Sequence, residues 1–330
     1  MKTSVAVLGA TGVVGQKAIA LLEQINEFEV AEVAASDRRI GEKFGDVVDW
    51  REPLSPVPER LRATLLSESK NLQSNVVISC LPQDQAKMIE PILAEQGKLV
   101  FSNASAFRMD PHVPLLVPEI NLDHLDLVDK QSTRGKIITN PNCSVVGVTL
   151  ALAPLISLGN LKHVSVVTLQ SFSGAGYPGM SAFDMHGNTI PHIPEESEKI
   201  IEETRKILGA SKKPLDLEMA VHVHRVPVMY GHTASLHLHF DKSISLEDVR
   251  SQYAAWNKKH GSLFVVHEEL GRPQVLKDLT LHDDMRAHIG HIGHGTSDHI
   301  VSLVVLSHNL VRGAAGAAIA NMRAYFKKKF

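Results

Sequence analysis

Two stretches of the chain place ligand-binding or reactive residue types where chemistry can be done. The first is Gly9-Ala10-Thr11-Gly12-Val13-Val14-Gly15, which follows the apolar run Val5-Ala6-Val7-Leu8 and opens a helical spacing of Val13, Val14, Ala18, Ile19 and Leu22. In such a G-x-x-G-x-x-G turn the first glycine permits the tight bend and the second lets the backbone approach a pyrophosphate. The third allows helix and strand to pack closely, and the helix start offers N–H groups to an anion. The competing reading is a tight turn that binds nothing; the position after a first strand favours a nucleotide. The second stretch is Asn140-Pro141-Asn142-Cys143-Ser144, between the strand-like Ile137-Ile138-Thr139 and an apolar helical segment. A thiolate at a helix start is stabilised by the dipole and by free N–H groups, which can also hold a developing oxyanion. A free cysteine is also commonly a small buried hydrophobe, and position alone does not choose. Cys80, ahead of Leu81-Pro82, lacks such flanks and is assigned to packing.

The end of the second strand discriminates between NAD and NADP, and here it reads Ala35-Ser36-Asp37-Arg38-Arg39. An acid there favours the ribose diol, an arginine the 2′-phosphate. Ser36 with two guanidiniums makes a phosphate clamp, so the balance favours NADP despite Asp37.

Elements that position these residues follow from hydrophobic pattern. Strand-like runs at 5–8, 29–35, 75–79 and 99–102 alternate with helical spacing at 12–22 and 83–96, which predicts a doubly wound Rossmann-type α/β nucleotide domain. After Cys143 the pattern changes. A helix is expected over 144–158 with a break at Pro154, then β-rich stretches at 163–171, 221–228, 233–241 and 300–306. Helices are expected at 195–208, 246–256 and 311–326. This suits a second domain built on an antiparallel or mixed sheet, with the junction placed where the pattern changes. A length of 330 residues suits two domains of about 100–200 residues each. A net charge of −2 argues against a nucleic-acid or anionic-lipid partner. Two cysteines and the lack of a leader-like start point to a reduced, cytoplasmic setting, and no apolar run of about 18 residues suggests a membrane span.

Several motifs in order then resemble aspartate-semialdehyde dehydrogenases from the first strand to the last helix. They are the glycine loop through Gln16, Ser102-Asn103-Ala104-Ser105-Ala106-Phe107-Arg108, Pro118-Glu119-Ile120-Asn121 and the Cys143 segment. Further on come Gln170-Ser171-Phe172-Ser173-Gly174-Ala175-Gly176, Glu203-Thr204-Arg205-Lys206, Arg225-Val226-Pro227-Val228, Gly231-His232-Thr233 and His308-Asn309 with Arg312-Gly313-Ala314-Ala315-Gly316. The resemblance implies Cys143 as nucleophile, His232 as acid/base and Gln170 as the residue orienting substrate. It implies Arg225 for the substrate α-carboxylate, Glu203 for its ammonium, and Arg108, Asn142 and Lys206 for phosphate. Gly9, Thr11, Gly12, Val13, Val14, Ser36, Arg38, Ser173, Gly174, Ala175 and Asn309 would hold NADP, the last at the nicotinamide amide. The implied reaction is NADPH-dependent reductive dephosphorylation of L-4-aspartyl phosphate to L-aspartate 4-semialdehyde. It would serve lysine/diaminopimelate, threonine and methionine biosynthesis, in a homodimer or a homotetramer. The resemblance also implies an α+β catalytic and dimerisation domain with a mixed sheet over 143–307, and a nucleotide domain made of 1–142 and 308–330. The chemistry is consistent with these types: a thiolate displaces phosphate to leave a thioester, a good hydride acceptor, and an imidazole beside sulfur can take the thiol proton and later shuttle the hemiacetal proton.

Taken singly the same residues have plainer readings. Glu203 with Lys206 is a helix-surface i,i+3 pair, Arg225 a snorkelling strand-end cation, and His232 a turn histidine. Rival activities are N-acetyl-glutamyl-phosphate reductase, whose cysteine motif usually reads Gly-Cys-Tyr-Pro, and malonyl-CoA reductase, whose substrate has no ammonium for Glu203. An inactive nucleotide-binding protein would not need the set Cys143, Gln170, Arg225 and His232. The chain has 18 histidines, with His222 and His224, and His237 and His239, alternating along two strands, and His288, His291, His294 and His299 clustered later. No H-E-x-x-H occurs, and no metal is expected in the chemistry. In the resembled family an arginine usually stands where His291 does.

Overall fold

The computed structural model describes residues 2–281 and 283–329. Its contacts divide it into two units: residues up to Pro141 together with those from Ala314 onward, and Asn142 to Gly313. In the first unit β1 (Thr3–Leu8), β2 (Phe28–Ala34), β3 (Val76–Ser79), β4 (Leu99–Ser102) and β5 (Lys136–Thr139) form one sheet in the order β2-β1-β3-β4-β5. Every pair is parallel. The strands are short and apolar on both faces because helices cover both. Helix α1 (Val13–Leu22) packs on β1 and β2, α2 (Gln83–Glu95) on β4 and β5, and the helix Gly316–Lys329 on β4 and α1. Strand order reverses between β1 and β3, the kind of point at which open α/β sheets bind ligands beyond their strand ends.

The glycine loop lies there. Gly9 has φ +68°, and a Cβ on it would stand 2.5 Å from the Cys80 carbonyl oxygen; one on Gly15 would stand 2.3 Å from that of Gly9. The buried Gln16 side chain donates to the Thr11 carbonyl at 2.8 Å and accepts from the Arg51 N–H, which pins the loop. The Cys80 thiol is pushed up to about 12 by burial, and the Asn103 amide donates to its sulfur. It is an inert packing group.

The second unit carries a mixed sheet in the order β7-β6-β8-β11-β10-β9. Its strands are β6 (Leu161–Ser171), β7 (Glu218–Val226), β8 (His232–Phe240), β9 (Phe264–Val266), β10 (Ala287–His294) and β11 (Ile300–Ser307). β6 is parallel to β7 and antiparallel to β8, and β9 is parallel to β10. Helix α3 (Cys143–Leu152) is buried along its whole length after Cys143 and packs on β8, β10 and β11. α4 (Glu196–Leu208) packs on α3 and β7, and α5 (Leu246–His260) on β9 and β10.

Three sequence expectations change. α3 ends at Leu152 and only a 3-10 turn, Ile156–Leu158, follows Pro154, whose ring cannot continue the helix. Strand β10 was not anticipated: Ala-His-Ile-Gly-His-Ile-Gly-His is poor in strand-forming residues, and the strand is bulged with His291 at φ +50°. The return to the first unit comes after Gly313 rather than before His308. Asn309 belongs to the second unit because its side chain accepts from the Gly231 N–H at 2.9 Å and donates to Ser173 Oγ at 2.9 Å.

Gly9→Ala should destabilise the protein by on the order of 2 kcal/mol, since the methyl meets a carbonyl at a left-handed position. Urea denaturation checks this, and an unchanged midpoint would contradict the close approach to Cys80.

Candidate active site

Strand register builds the site. Gln170 pairs with Arg225 on one side and with His232 on the other, so Arg225, Gln170 and His232 form one row across β7, β6 and β8. Neighbours in such a row stand about 4.8 Å apart and share a face. All three are buried, at 7%, 1% and 4% exposure.

His232 reaches Cys143, with Nε2 at 3.1 Å from Sγ. The other ring nitrogen, Nδ1, accepts from the Ser171 N–H at 3.1 Å. A backbone N–H can only donate, so Nδ1 carries a lone pair and the neutral ring bears its proton on Nε2, facing sulfur. Burial and then the nearby Arg225 charge lower the imidazole to about 3. The geometry thus makes His232 a donor to sulfur rather than the acceptor of the thiol proton that sequence reasoning allowed. Arg225 Nη1 donates to the Ser171 carbonyl at 2.8 Å, which ties the cation to the same residue that sets the tautomer.

Cys143 begins α3, and Asn142 caps that helix, its Oδ1 accepting from the Ser144 N–H at 2.8 Å. Two carboxylates of α4 grip Asn142. Glu203 Oε2 accepts from its backbone N–H at 2.7 Å, and Glu196 Oε1 accepts from its Nδ2 at 2.9 Å. Glu196 and Glu203 lie seven residues apart, on one helix face. Both are buried, and so is Lys206, so this is an interior cluster and not a solvated pair. Sequence reasoning missed Glu196, whose place in the first turn of an acidic helix start looks like ordinary dipole compensation. The i,i+7 spacing to Glu203 was the available signal. Gly313, quoted in the last motif without a role, also abuts the thiol residue: a Cβ there would stand 2.7 Å from that of Cys143.

The remaining expected residues have varied settings. A Cβ on Gly174 would stand 3.0 Å from Arg225 Nη1 and 3.3 Å from His232 Cε1, so the 173–175 turn lies over the row. Asn309 is a strut between Gly231 and Ser173. Ser36 and Arg38 are exposed at the end of β2. Arg39 pairs with Glu42, whereas Arg38 has no ion-pair partner among the described residues. Arg108, buried in the first unit, donates to the Asn103 carbonyl at 2.7 Å. Gly12 caps α1 without a side-chain bond, and the first turn holds no acid, so the loop of Thr11, Gly12, Val13 and Val14 suits a pyrophosphate.

Comparison with known proteins gives the family. Residues 4–128 match the semialdehyde dehydrogenase NAD-binding domain, and 152–312 the semialdehyde dehydrogenase dimerisation domain. An aspartate-semialdehyde dehydrogenase of Archaeoglobus fulgidus is 39% identical, the match covering 100% of this chain and 99% of that protein. The chain belongs to the aspartate-semialdehyde dehydrogenase family. A family member from Methanothermobacter thermautotrophicus is 38% identical over 96% of this chain and 97% of its own. The structure of the Candida albicans aspartate-semialdehyde dehydrogenase with NADP superposes with a TM-score of 0.85, at 33% identity and 96% coverage of both chains. These family members bear out the Rossmann-type and mixed-sheet architecture read from the sequence.

Two outcomes test the site. Glu196→Ala frees the Asn142 amide and should lower kcat by ~10- to 100-fold through a misplaced Cys143, with KM little changed. Glu196→Gln keeps an oxygen acceptor and should stay within a few-fold of wild type; equal loss in both variants would contradict the role of that bond. For His232, the unfolded chain takes up a proton below about 6.5 while the folded ring stays neutral down to about 3. The unfolded state therefore binds the extra proton, and stability is lost as pH falls through that window. His232→Gln should lose less Tm than wild type between about pH 7 and 5; parallel slopes would refute the assignment.

Proposed function

We infer that this NADP-dependent oxidoreductase converts L-4-aspartyl phosphate to L-aspartate 4-semialdehyde and phosphate, as its family does. The observation that carries the residue assignment is the Cys143–His232 pair set in a row with Gln170 and Arg225. Cys143 Sγ attacks the acyl-phosphate carbonyl, the bond to the phosphate oxygen breaks, the thiol proton leaves with the departing phosphate, and a thioester remains on Cys143. The Nε2–H of His232 stabilises negative charge on sulfur before attack and again when thiolate is expelled on release of the aldehyde. The reduced adduct is an alkoxide that collapses directly to the aldehyde and the Cys143 thiolate, so the ring keeps its Nε2 proton throughout. Gln170 orients the substrate, Arg225 takes its α-carboxylate, and Glu203 its ammonium. Glu196 adds negative charge beside Arg225. Arg108, Lys206 and Asn142 receive the phosphate.

NADPH, when bound, supplies the hydride that reduces the thioester carbonyl. Its pyrophosphate would rest on the loop from Gly9 to Val14, its 2′-phosphate on Ser36 and Arg38, and its nicotinamide end near Ser173, Gly174, Ala175 and Asn309. Relatives named for the aspartyl substrate over their whole length favour this reading over acetylglutamyl-phosphate or malonyl-CoA reduction. The product fits supply of lysine/diaminopimelate, threonine and methionine in the cytoplasm. No helix among the described residues is long and apolar enough to cross a membrane. The matched dimerisation domain supports a homodimer built on the mixed sheet, with a tetramer as a further assembly.

The reverse reaction tests this: aspartate semialdehyde, phosphate and NADP are supplied and NADPH absorbance is followed. Turnover is expected in wild type, at least ~10⁴-fold less in Cys143→Ala, and a marked loss of preference for NADP over NAD in Arg38→Ala. Undiminished turnover without the thiol would sink the mechanism.

A further inference from the structure

We propose that His267, Asp278 and His288 bind one divalent transition-metal ion, zinc fitting best, and that the ion staples the 267–278 segment to the β9–β10 edge of the mixed sheet. The three residues come from separate local structures. His267 directly follows β9, and its N–H donates to the Ile289 carbonyl at 2.8 Å, which sets its ring beside β10. His288 lies in β10, opposite Val265, and Asp278 ends the short helix Val275–Asp278. His267 Nε2 stands 3.3 Å from His288 Nδ1 and 3.9 Å from Asp278 Oδ1, and all three ligand atoms lie within 4.8 Å of one another. Around a tetrahedral zinc with bonds of about 2.0–2.1 Å, neighbouring ligand atoms stand about 3.3 Å apart. A hydrogen bond between the two rings joins the nitrogen pair, and Asp278 Oδ1 already accepts from Arg272 Nε at 2.9 Å and from Arg272 Nη2. An ion at this place would share that oxygen with the guanidinium and draw the three ligand atoms together.

The surroundings are those of a ligand set. His288 Nε2 lies 3.0 Å from Asp284 Oδ2, so its N–H is committed to that carboxylate and Nδ1 presents a lone pair to the group. Asp284 has no exposed side-chain surface and is held in turn by Arg286 Nε at 2.8 Å. Asp278 is oriented by Arg272 Nε at 2.7 Å and by the Gln274 N–H. Two neutral imidazoles and one carboxylate suit zinc and leave a fourth position for water. Nothing in the reaction at Cys143 calls on this group, so its role is structural. The paired strand histidines at 222, 224, 237 and 239 do not take part.

The test uses Cys143→Ala protein, because a thiol and an imidazole 3.1 Å apart would themselves capture zinc. Chelator-treated protein is titrated with Co²⁺ and then Zn²⁺, followed by visible absorption, and bound metal is counted after gel filtration. One equivalent per protomer is expected, with the intense ligand-field bands of a tetrahedral N/O site and displacement of cobalt by zinc. A further His267→Ala change should abolish uptake, and a change at exposed His237 to Ala should not. No retained equivalent in the Cys143→Ala protein, or undiminished uptake after His267→Ala, overturns the proposal. If His267→Ala fails to fold, thermal melting of the Cys143→Ala protein decides: a rise of several degrees with zinc and none with magnesium is expected, and the lack of a zinc-specific rise overturns it.

Discussion

Strand β6 is held on both edges over most of its length, by parallel bonds to β7 and antiparallel bonds to β8. That double pairing is the constraint on which the reactive centre depends. In this register Gln170 points inward at 1% exposure and Leu169 outward at 43%. A slip of one residue would exchange the faces of the whole strand, put a leucine against Cys143 and expose the glutamine. The same register brings the Ser171 N–H to His232 Nδ1 and the Ser171 carbonyl to Arg225. One peptide position thus sets both the proton on the imidazole and the place of the cation. Each of these bonds has one end on the backbone, so the arrangement is stiffer than one made by side chains alone.

The thiol is positioned by a second, independent device. Asn142 uses its side-chain oxygen to cap α3, its side-chain nitrogen to bond Glu196 and its backbone N–H to bond Glu203. The cap is ordinary helix chemistry. The two buried carboxylates make it directional: Glu196 fixes which way the amide faces, and Glu203 holds the backbone at the same residue. Glu196 also places negative charge near Arg225.

Much of this was legible in the residues. The strand–glycine–helix start and the alternation that gives a parallel sheet follow from local pattern, and the fold agrees. Cys143 was visible as a helix-start thiol, but only the order of distant motifs separated it from a packing cysteine. The proton arrangement of His232 was not legible, since it depends on a bond to a residue sixty-one positions away. Glu196 was hidden because its spacing to Glu203 is indistinguishable from that of a solvated acidic face until burial is known. Strand β10 was hidden because its glycines and histidines carry little intrinsic strand preference, and pairing with β11 and β9 overrides that.

The first unit is interrupted by the second, and its helix Gly316–Lys329 packs on β4 and α1. The Phe101 and Tyr325 rings meet edge to face at 6.0 Å, and Arg323 pairs with Glu27 at 3.0 Å. During synthesis the glycine loop and five strands therefore leave the ribosome long before the helix that covers one side of them. The inserted unit is contiguous and can close on its own contacts first, while the nucleotide-binding half waits for the end of the chain. Assembly order is thus the reverse of sequence order: the half translated first is the half completed last.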